Sequence, residues 1–175
     1  RSGCMIVVKG VCEMQQTIKI IDTINKIVGI VLSLTLAVMS VLIVAQVLTR
    51  YVVNISLTWS EEAARYLLIY AVFLGAALAM RKQQHIAIEF LVQSVNEKMR
   101  AVLKLAILII SIGFFVMLFA KGVEILQFVG NQKSPALRIP MSIPYAAIPI
   151  GAGLLIINSL AVMLEMFIKD KERER

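Results

Sequence analysis

Four long stretches without a charged residue limit what this chain can fold into. They are Ile27–Thr49, Tyr66–Met80, Leu105–Ala120 and Ile139–Leu164, with 23, 15, 16 and 26 residues. A helix needs about 20 predominantly apolar residues to cross a bilayer. The two middle stretches reach that length only if each helix includes polar residues at one of its ends. The sequence therefore predicts an all-α integral membrane protein with four transmembrane helices.

The composition agrees with this fold class. The chain is 59% hydrophobic and 17% charged, whereas a soluble domain carries about a quarter charged residues. The net charge of +7 does not indicate a nucleic-acid partner, because the basic residues lie at the ends of apolar runs and form no basic face with interleaved aromatic residues. Membrane lipid is the partner that this pattern favours.

Lysine and arginine are distributed unevenly around the four predicted spans. Thirteen lie in the two termini and in the connection between spans two and three, and five lie in the other connections. By the positive-inside rule, both termini are expected in the cytoplasm. The predicted organisation is a cytoplasmic N-terminal segment (1–26), a four-helix membrane domain (27–168) and a charged cytoplasmic tail (169–175). The first span is expected to be retained as a signal anchor. We set the first residues aside as an artefact of the start site and interpret Cys4 and Cys12 there as incidental thiols.

Two connections have a distinctive composition. Residues 83–99 between spans two and three alternate apolar and polar side chains, which is typical of a short amphipathic segment in the membrane interface; an ordinary polar loop fits equally well. The connection before span four contains Pro135, Pro140 and Pro144 and predicts a rigid, non-helical entry. Pro149 is expected to kink the last helix and to free the carbonyl of Tyr145.

A charged cluster, Trp59–Arg65, lies where the second span should begin. Ionised groups near a bilayer core are costly, so they are usually paired, turned toward protein, or functional. Thr58 and Glu61 fit the T-x-x-E pattern of a capping box, and Trp59 is typical of an anchor in the membrane interface. Part of the cluster is therefore explained by helix initiation alone.

The remaining charges predict contacts between helices. Glu61 and Arg65 are four residues apart and suit an ion pair on one helix face, and Arg50 at the end of span one is a candidate partner for Glu61 or Glu62. Further along span two, a ridge of small residues permits close approach of another helix; it consists of Ala71, Gly75 and Ala79.

Three interpretations of the cluster remain open. The charges pair within the bundle or with a partner subunit, or a carboxylate couples transport to an ion or proton, or the charges form an exposed helix cap. Coupling sites usually lie near the membrane midplane, whereas Glu61 and Glu62 lie at a membrane edge. This position favours the structural interpretation.

Signals of catalysis are missing from the sequence. His85 is the single histidine, and it lies beside basic residues without companions that would make it a metal ligand or a base. No nucleophile elbow, P-loop, dinucleotide fingerprint or zinc-protease motif occurs. We therefore predict a protein that is not an enzyme, with no cofactor and no metal site.

Five short motifs occur in order and carry a family resemblance. They are Arg50-Tyr51, Leu57–Tyr66, Phe73–Arg81, His85–Glu89, and Ser134–Pro140 with Ile148–Gly151. With them the chain resembles the small membrane subunit, the DctQ type, of tripartite ATP-independent periplasmic (TRAP) transporters. The resemblance runs from about Asn25 to the end of span four; it departs at Glu89, where the family often has Asp.

The resemblance implies a function that spacing alone would not. Such a subunit lies in the bacterial inner membrane beside a larger multi-span subunit, and a periplasmic solute-binding protein delivers an organic acid that the larger subunit moves with a sodium gradient. The small subunit is implied to be a scaffold and a docking surface. The alternative is an autonomous small four-helix proton-coupled transporter acting as a dimer, although Ile27–Thr49 lacks the embedded carboxylate that it would need. An electron-transfer subunit is disfavoured, because a single histidine cannot ligate a haem pair.

Overall fold

The computed structural model describes residues 2–54, 57–92 and 97–173, with side chains placed for 15–82 and 102–165 except at positions 53, 55, 56 and 104. Helices account for most of these residues, and no β-strand occurs among them. The helices are α1 (Ser2–Leu48), α2 (Thr58–Val92), α3 (Glu97–Val129), α4 (Ser142–Tyr145) and α5 (Ala147–Arg173). The predicted all-α fold class is confirmed.

Four segments have the length and apolar composition to cross a membrane. They are Gln15–Val52, Thr58–Lys82, Leu105–Val129 and Ser142–Glu165. The second includes the charged cluster as its first turns, as its short uncharged stretch required. The prediction of four transmembrane helices is confirmed.

Helix α5 lies at the centre of the bundle. It packs against both α2 and α3, whereas α1 packs mainly along α2. Half of the most apolar window of α5 is buried, compared with none of the corresponding window of α1. Exposed apolar side chains are expected for a bundle that is surrounded by lipid. Because none of its most apolar window is buried, α1 is the peripheral helix of the chain.

Two glycines allow the helices around α5 to approach closely. A Cβ atom at Gly151 of α5 would lie 2.5 Å from Cβ of Phe73 on α2. A Cβ atom at Gly122 of α3 would lie 3.0 Å from a methyl carbon of Ile148 and 3.1 Å from Cδ of Pro149. A side chain at Gly151 would force the two helices to shift, and one at Gly122 would require its neighbours to move by a few tenths of an ångström, so both glycines permit the close spacing of the helices.

A buried pair of amides joins three helices. The side-chain nitrogen of Asn25 on α1 donates to Oδ1 of Asn158 on α5 over 2.6 Å, and Nδ2 of Asn158 donates back to Asn25 over 2.9 Å and to the carbonyl of Ala77 on α2 over 2.7 Å. The neighbouring Ser159 hydroxyl instead donates within its own helix to Leu155. Polar residues in membrane helices commonly join neighbouring helices in this way.

The ends of α1 and α5 depart from regular helix. After Leu48 the chain forms a π-helical turn, Thr49–Val53, and Asn54 then adopts a left-handed conformation with φ 56°. Before α5 the helix is interrupted at Ala146, so Pro149 is the third residue of α5. The sequence predicted a kink inside the last helix. In the structure, Ala146 keeps helical dihedrals, and helical hydrogen bonds run from its amide to Ser142 over 2.9 Å and from Ile150 to its carbonyl over 3.2 Å. The interruption is therefore local, and it lies where Pro149 has no amide to offer the carbonyl of Tyr145; a kink stays a prediction.

The connection between spans two and three is only partly described. Helix α2 continues to Val92, and residues 93–96 lie outside the described part of the chain. The side chains of residues 83–101, including His85 and Glu89, also lie outside it. The amphipathic character of this segment therefore stays a prediction.

Candidate functional site

The carboxylate of Glu62, in the second turn of α2, joins that helix to the connection before α4. Its Oε1 accepts hydrogen bonds from Oη of Tyr66 over 2.6 Å and from Oγ of Ser134. Its Oε2 accepts from the backbone amides of Ala136 over 3.0 Å and Leu137 over 2.9 Å. Hydrogen bonds to an ionised acceptor are stronger than neutral ones, so this set forms a clamp, here called the Glu62 clamp.

The local sequence explains why the loop offers two free amides. The carbonyl of Ser134 accepts from the amide of Arg138 over 3.1 Å, which closes a single turn around Pro135. The amides of Ala136 and Leu137 inside this turn have no backbone partner there, as in the first turn of a helix. They point at the carboxylate instead, and such successive amides form a natural anion-binding concavity.

Backbone hydrogen bonds also join the two ends of the loop of residues 131–140. The Ser134 amide donates to the carbonyl of Ile139 over 2.9 Å, and the Met141 amide donates to Gln132 over 2.9 Å. Arg138 adopts a left-handed conformation with φ 54°, which a residue with a side chain rarely takes unless its surroundings fix it. Ser134 is buried, whereas Lys133 and Arg138 are exposed. The loop therefore has one defined shape and presents two basic side chains.

A second contact supports the same junction. Oη of Tyr70, two turns after Glu62, donates to the carbonyl of Ile143 in α4 over 2.7 Å. Oη of Tyr66 also lies 3.6 Å from the sulfur of Met141. One face of α2 thus holds the loop and the start of the last span together.

The other charged residues of the predicted cluster lie outside this clamp. Glu61 and Arg65 form their expected pair, but the nitrogen–oxygen distance is 3.9 Å and both side chains are well exposed. Exposed pairs of this kind contribute little to stability. Trp59 is half exposed at 47%. Arg50 is exposed in the π-helical turn, and within the described residues it forms no ion pair with Glu61 or Glu62.

The predicted capping box forms differently. Helix α2 already includes Thr58, so the residue before the helix is Leu57. The carbonyl of Leu57 accepts from the amide of Ser60 over 3.1 Å and from its hydroxyl over 2.8 Å. The structure thus places the helix start one residue earlier than the T-x-x-E pattern implied, and Ser60 is buried at this start.

The small-residue ridge of α2 lies partly inside the chain. Ala71 is buried, while Gly75 and Ala79 are half-buried. A Cβ atom at Gly75 would lie 3.8 Å from Leu32 of α1, which is ordinary contact. On the same face, Leu68 and Val72 are exposed. This part of α2 is therefore available to a neighbour outside the chain.

A second polar cluster, which sequence reasoning missed, lies at the opposite end of the bundle. The Arg81 guanidinium on α2 is 2.9 Å from the carboxylate of Asp22 on α1 and also pairs with Glu165 on α5. Its side chain is 13% exposed. In the sequence, Arg81 and Glu165 each border an uncharged stretch, whereas Asp22 lies four residues before Lys26, which borders the first one. Nothing in their spacing, however, shows that the three ends meet.

The two clusters have a structural rather than a catalytic chemistry. The carboxylate of Glu62 is occupied by hydrogen bonds from Tyr66 and the loop, and those of Asp22 and Glu165 are occupied by Arg81. The charged residues within the span of α3, Lys121 and Glu124, pair with each other over 2.7 Å. Among the residues that the structure describes, no group of three His, Cys, Asp or Glu side chains could hold a metal ion.

Four membrane-length helices, of which the second is fastened by polar side chains to the entry of the last span at one end and to that span at the other, define a multi-pass helical membrane protein. Residues 39–169 match the family described as tripartite ATP-independent periplasmic transporters, DctQ component. Because this match covers more than half of the chain, the protein belongs to the DctQ family of TRAP transporter components.

Several curated proteins are similar to this chain. A small permease protein ascribed to a TRAP transporter of Haemophilus influenzae is 32% identical over 76% of this chain and 82% of its own length. The sialic acid TRAP transporter small permease protein SiaQ of Vibrio cholerae is 32% identical over 61% of each chain. The sialic acid TRAP transporter permease protein SiaT of Haemophilus influenzae is 44% identical over 34% of this chain, which spans only 10% of that longer protein.

Proposed function

We propose that this protein is the small scaffold subunit of a sodium-coupled, binding-protein-dependent transporter of organic acids in the bacterial inner membrane. It holds a large multi-span permease subunit and contributes a docking surface for a periplasmic solute-binding protein. The observation that carries the proposal is that every buried polar side chain among the described residues forms a hydrogen bond within this chain; these are Asn25, Ser60, Ser134, Asn158 and Ser159. None of these buried groups is left over to bind a solute.

Similarity to longer permeases supports the proposed large partner. In SiaT, a segment resembling this chain is a small part of a much longer permease protein. The same holds for the isethionate TRAP transporter permease protein DctMQ of Oleidesulfovibrio alaskensis, of which this chain covers 16%. We infer that this chain acts beside a comparable large subunit. The exposed part of α2 around Leu68 and Val72 and the peripheral helix α1 are the surfaces open to it.

The Glu62 clamp supports the proposed docking role. A surface that binds a soluble partner gains affinity when its shape is fixed before binding, because less conformational freedom is then lost. The loop of residues 131–140 is held in this manner and exposes Lys133 and Arg138. A binding protein with a complementary acidic patch would be steered toward such a surface.

Reconstitution tests the proposal directly. The chain is placed in proteoliposomes alone, with the large subunit from its own genome, and with the large subunit plus the binding protein. Relatives are named for sialic acid, C4-dicarboxylates and ectoine, so uptake of all three is measured with and without a sodium gradient. We expect uptake only from the complete set and only with sodium. Uptake by this chain alone, driven by a proton gradient, would refute the scaffold role and support the autonomous transporter.

A further inference from the structure

A cleft of about 650 Å³ opens between α1 and α2 at the end of the bundle that carries Arg81. Its charged lining residues are Asp22, Lys26, Arg81 and Lys82, and its apolar ones include Ile30 and Leu78. The cleft is distinct from the Glu62 clamp and has no part in the function proposed above.

The charges in the cleft leave two cations without a partner. Arg81 is neutralised by Asp22 and by Glu165 from α5. Lys26 and Lys82 are both exposed, and within the described residues no carboxylate pairs with either. Each lysine borders an apolar span, so their ammonium groups lie at the height of the lipid headgroups. Together with the two carboxylates on Arg81, these five side chains carry a net charge of +1, and an anion that entered the cleft would meet the two unpaired ammonium groups.

The cleft changes from charged to apolar along α1. Lys26, Ile30 and Ser33 follow one another at about one helical turn each and extend the cleft by about 10 Å toward the middle of the span. The Ser33 hydroxyl is occupied by the carbonyl of Gly29 over 2.9 Å. On α2, Leu78 lies one turn inside Arg81 and Lys82. A charged mouth above an apolar floor suits a molecule with an anionic head and a hydrocarbon chain.

We propose that this cleft binds one anionic phospholipid, with the phosphate between Lys26 and Lys82 and the first part of an acyl chain along Ile30 and Leu78. Basic residues at the membrane surface attract anionic lipid with a free energy equivalent to about fivefold in affinity for each lysine. A free phosphate ion shares the headgroup contact but leaves the apolar floor uncovered. The shape of the cleft therefore favours a phospholipid over a free phosphate ion as the ligand.

Native mass spectrometry of the full-length chain in detergent tests this site. The protein is delipidated and titrated with phosphatidylglycerol, phosphatidylcholine, or inorganic phosphate as the chain-free probe. We expect one phosphatidylglycerol to bind preferentially. In the double variant Lys26→Ala/Lys82→Ala its affinity should fall by about 25-fold, and Lys26→Arg/Lys82→Arg should retain it.

A charge-matched control separates this site from general attraction to a basic protein. Lys19→Ala/Lys133→Ala also removes two exposed lysines, neither of which lines the cleft, and should leave the affinity unchanged. Equal losses in the two double variants would overturn the proposal. Equal binding of phosphatidylcholine, or full competition by inorganic phosphate, would overturn it as well. An unchanged melting temperature in lipid-free detergent shows that the variants fold.

Discussion

Two adjacent glutamates show how differently neighbouring residues of one helix are used. The Glu61 side chain is exposed and lies 3.9 Å from Arg65. The Glu62 side chain is turned by about 100° around the helix axis and accepts four hydrogen bonds, three of them from the loop and one from Tyr66. The junction between α2 and the last span therefore depends on one carboxylate rather than on the cluster as a whole.

Replacing Glu62 tests that dependence. We expect Glu62→Gln to loosen the loop of residues 131–140, because an amide has one oxygen acceptor and lacks the charge that strengthens the hydrogen bonds. Hydrogen–deuterium exchange at the amides of Ala136 and Leu137 should become severalfold faster. In the reconstituted transporter, binding of the soluble partner should weaken in parallel.

The neighbouring substitution is the matched control. Glu61→Gln removes the same charge from the same turn but breaks only an exposed pair, so exchange in the loop should not change. Similar exchange rates in the two variants would show that the carboxylate of Glu62 does not hold the loop.

The sequence could indicate this cluster but not the residue within it that matters. Charges at the start of a membrane helix are unusual, and that made the segment a candidate. The loop partners of Glu62 lie 72 to 75 residues further along the chain. They become partners only because Arg138 adopts a left-handed conformation and two amides stay free. The spacing of residues along the sequence does not predict the conformation of Arg138 or the free amides.

At the scale of helices, the sequence was most informative where charge interrupts an apolar run. Uncharged stretches placed all four spans, because a bilayer penalises ionised groups at any position facing lipid. The ends were less predictable. Helix α3 continues to Val129, well beyond the uncharged stretch that ends at Ala120, and the proline-rich entry to the last span, predicted as non-helical, contains the short helix α4.

Close contacts between helices depend on Gly122 and Gly151, whose packing role no sequence pattern indicated. Gly151→Ala should reduce the free energy of unfolding by about 1–3 kcal/mol, since its Cβ would lie 2.5 Å from Cβ of Phe73 and the two helices would have to separate. Unfolding in detergent by titration with sodium dodecyl sulfate measures this change.

Gly113 of α3 provides the comparison. A Cβ atom there meets nothing within 4 Å, so Gly113→Ala should be neutral or stabilise the helix by up to about 1 kcal/mol. If Gly151→Ala were as harmless as Gly113→Ala, the close packing of α2 on α5 would not be required for stability.

At the scale of the whole molecule, the bundle has a central helix and a peripheral one. The order of the spans along the chain does not predict this arrangement. Helix α5 is the last to be made, yet it contacts α2 and α3, and its Asn158 joins the first helix to the second. The partners of Asn158 follow only from the packing of the helices.

The orientation of the bundle in the membrane stays a prediction from the distribution of basic residues. We expect Lys133→Cys, in a chain whose Cys4 and Cys12 are replaced by serine, to react with a membrane-impermeant maleimide added to spheroplasts. Asn96→Cys should react only after the membrane is permeabilised, because the positive-inside rule places that connection in the cytoplasm. Labelling of Asn96→Cys but not Lys133→Cys would reverse the topology.

The Glu62 clamp can form only some time after Glu62 itself has been synthesised. Leu137, whose amide completes the clamp, is added 75 residues after Glu62, and at a synthesis rate of about 5–20 residues per second this takes roughly 4–15 seconds. Glu165, which pairs with Arg81, follows its partner by 84 residues. During each interval the second helix carries a charge whose final partner has not yet left the ribosome. The connection before the last span completes the Glu62 clamp, and the end of that span completes the Arg81 cluster. A chain truncated before Ser134 would therefore reach the membrane with only the Arg81–Asp22 pair formed.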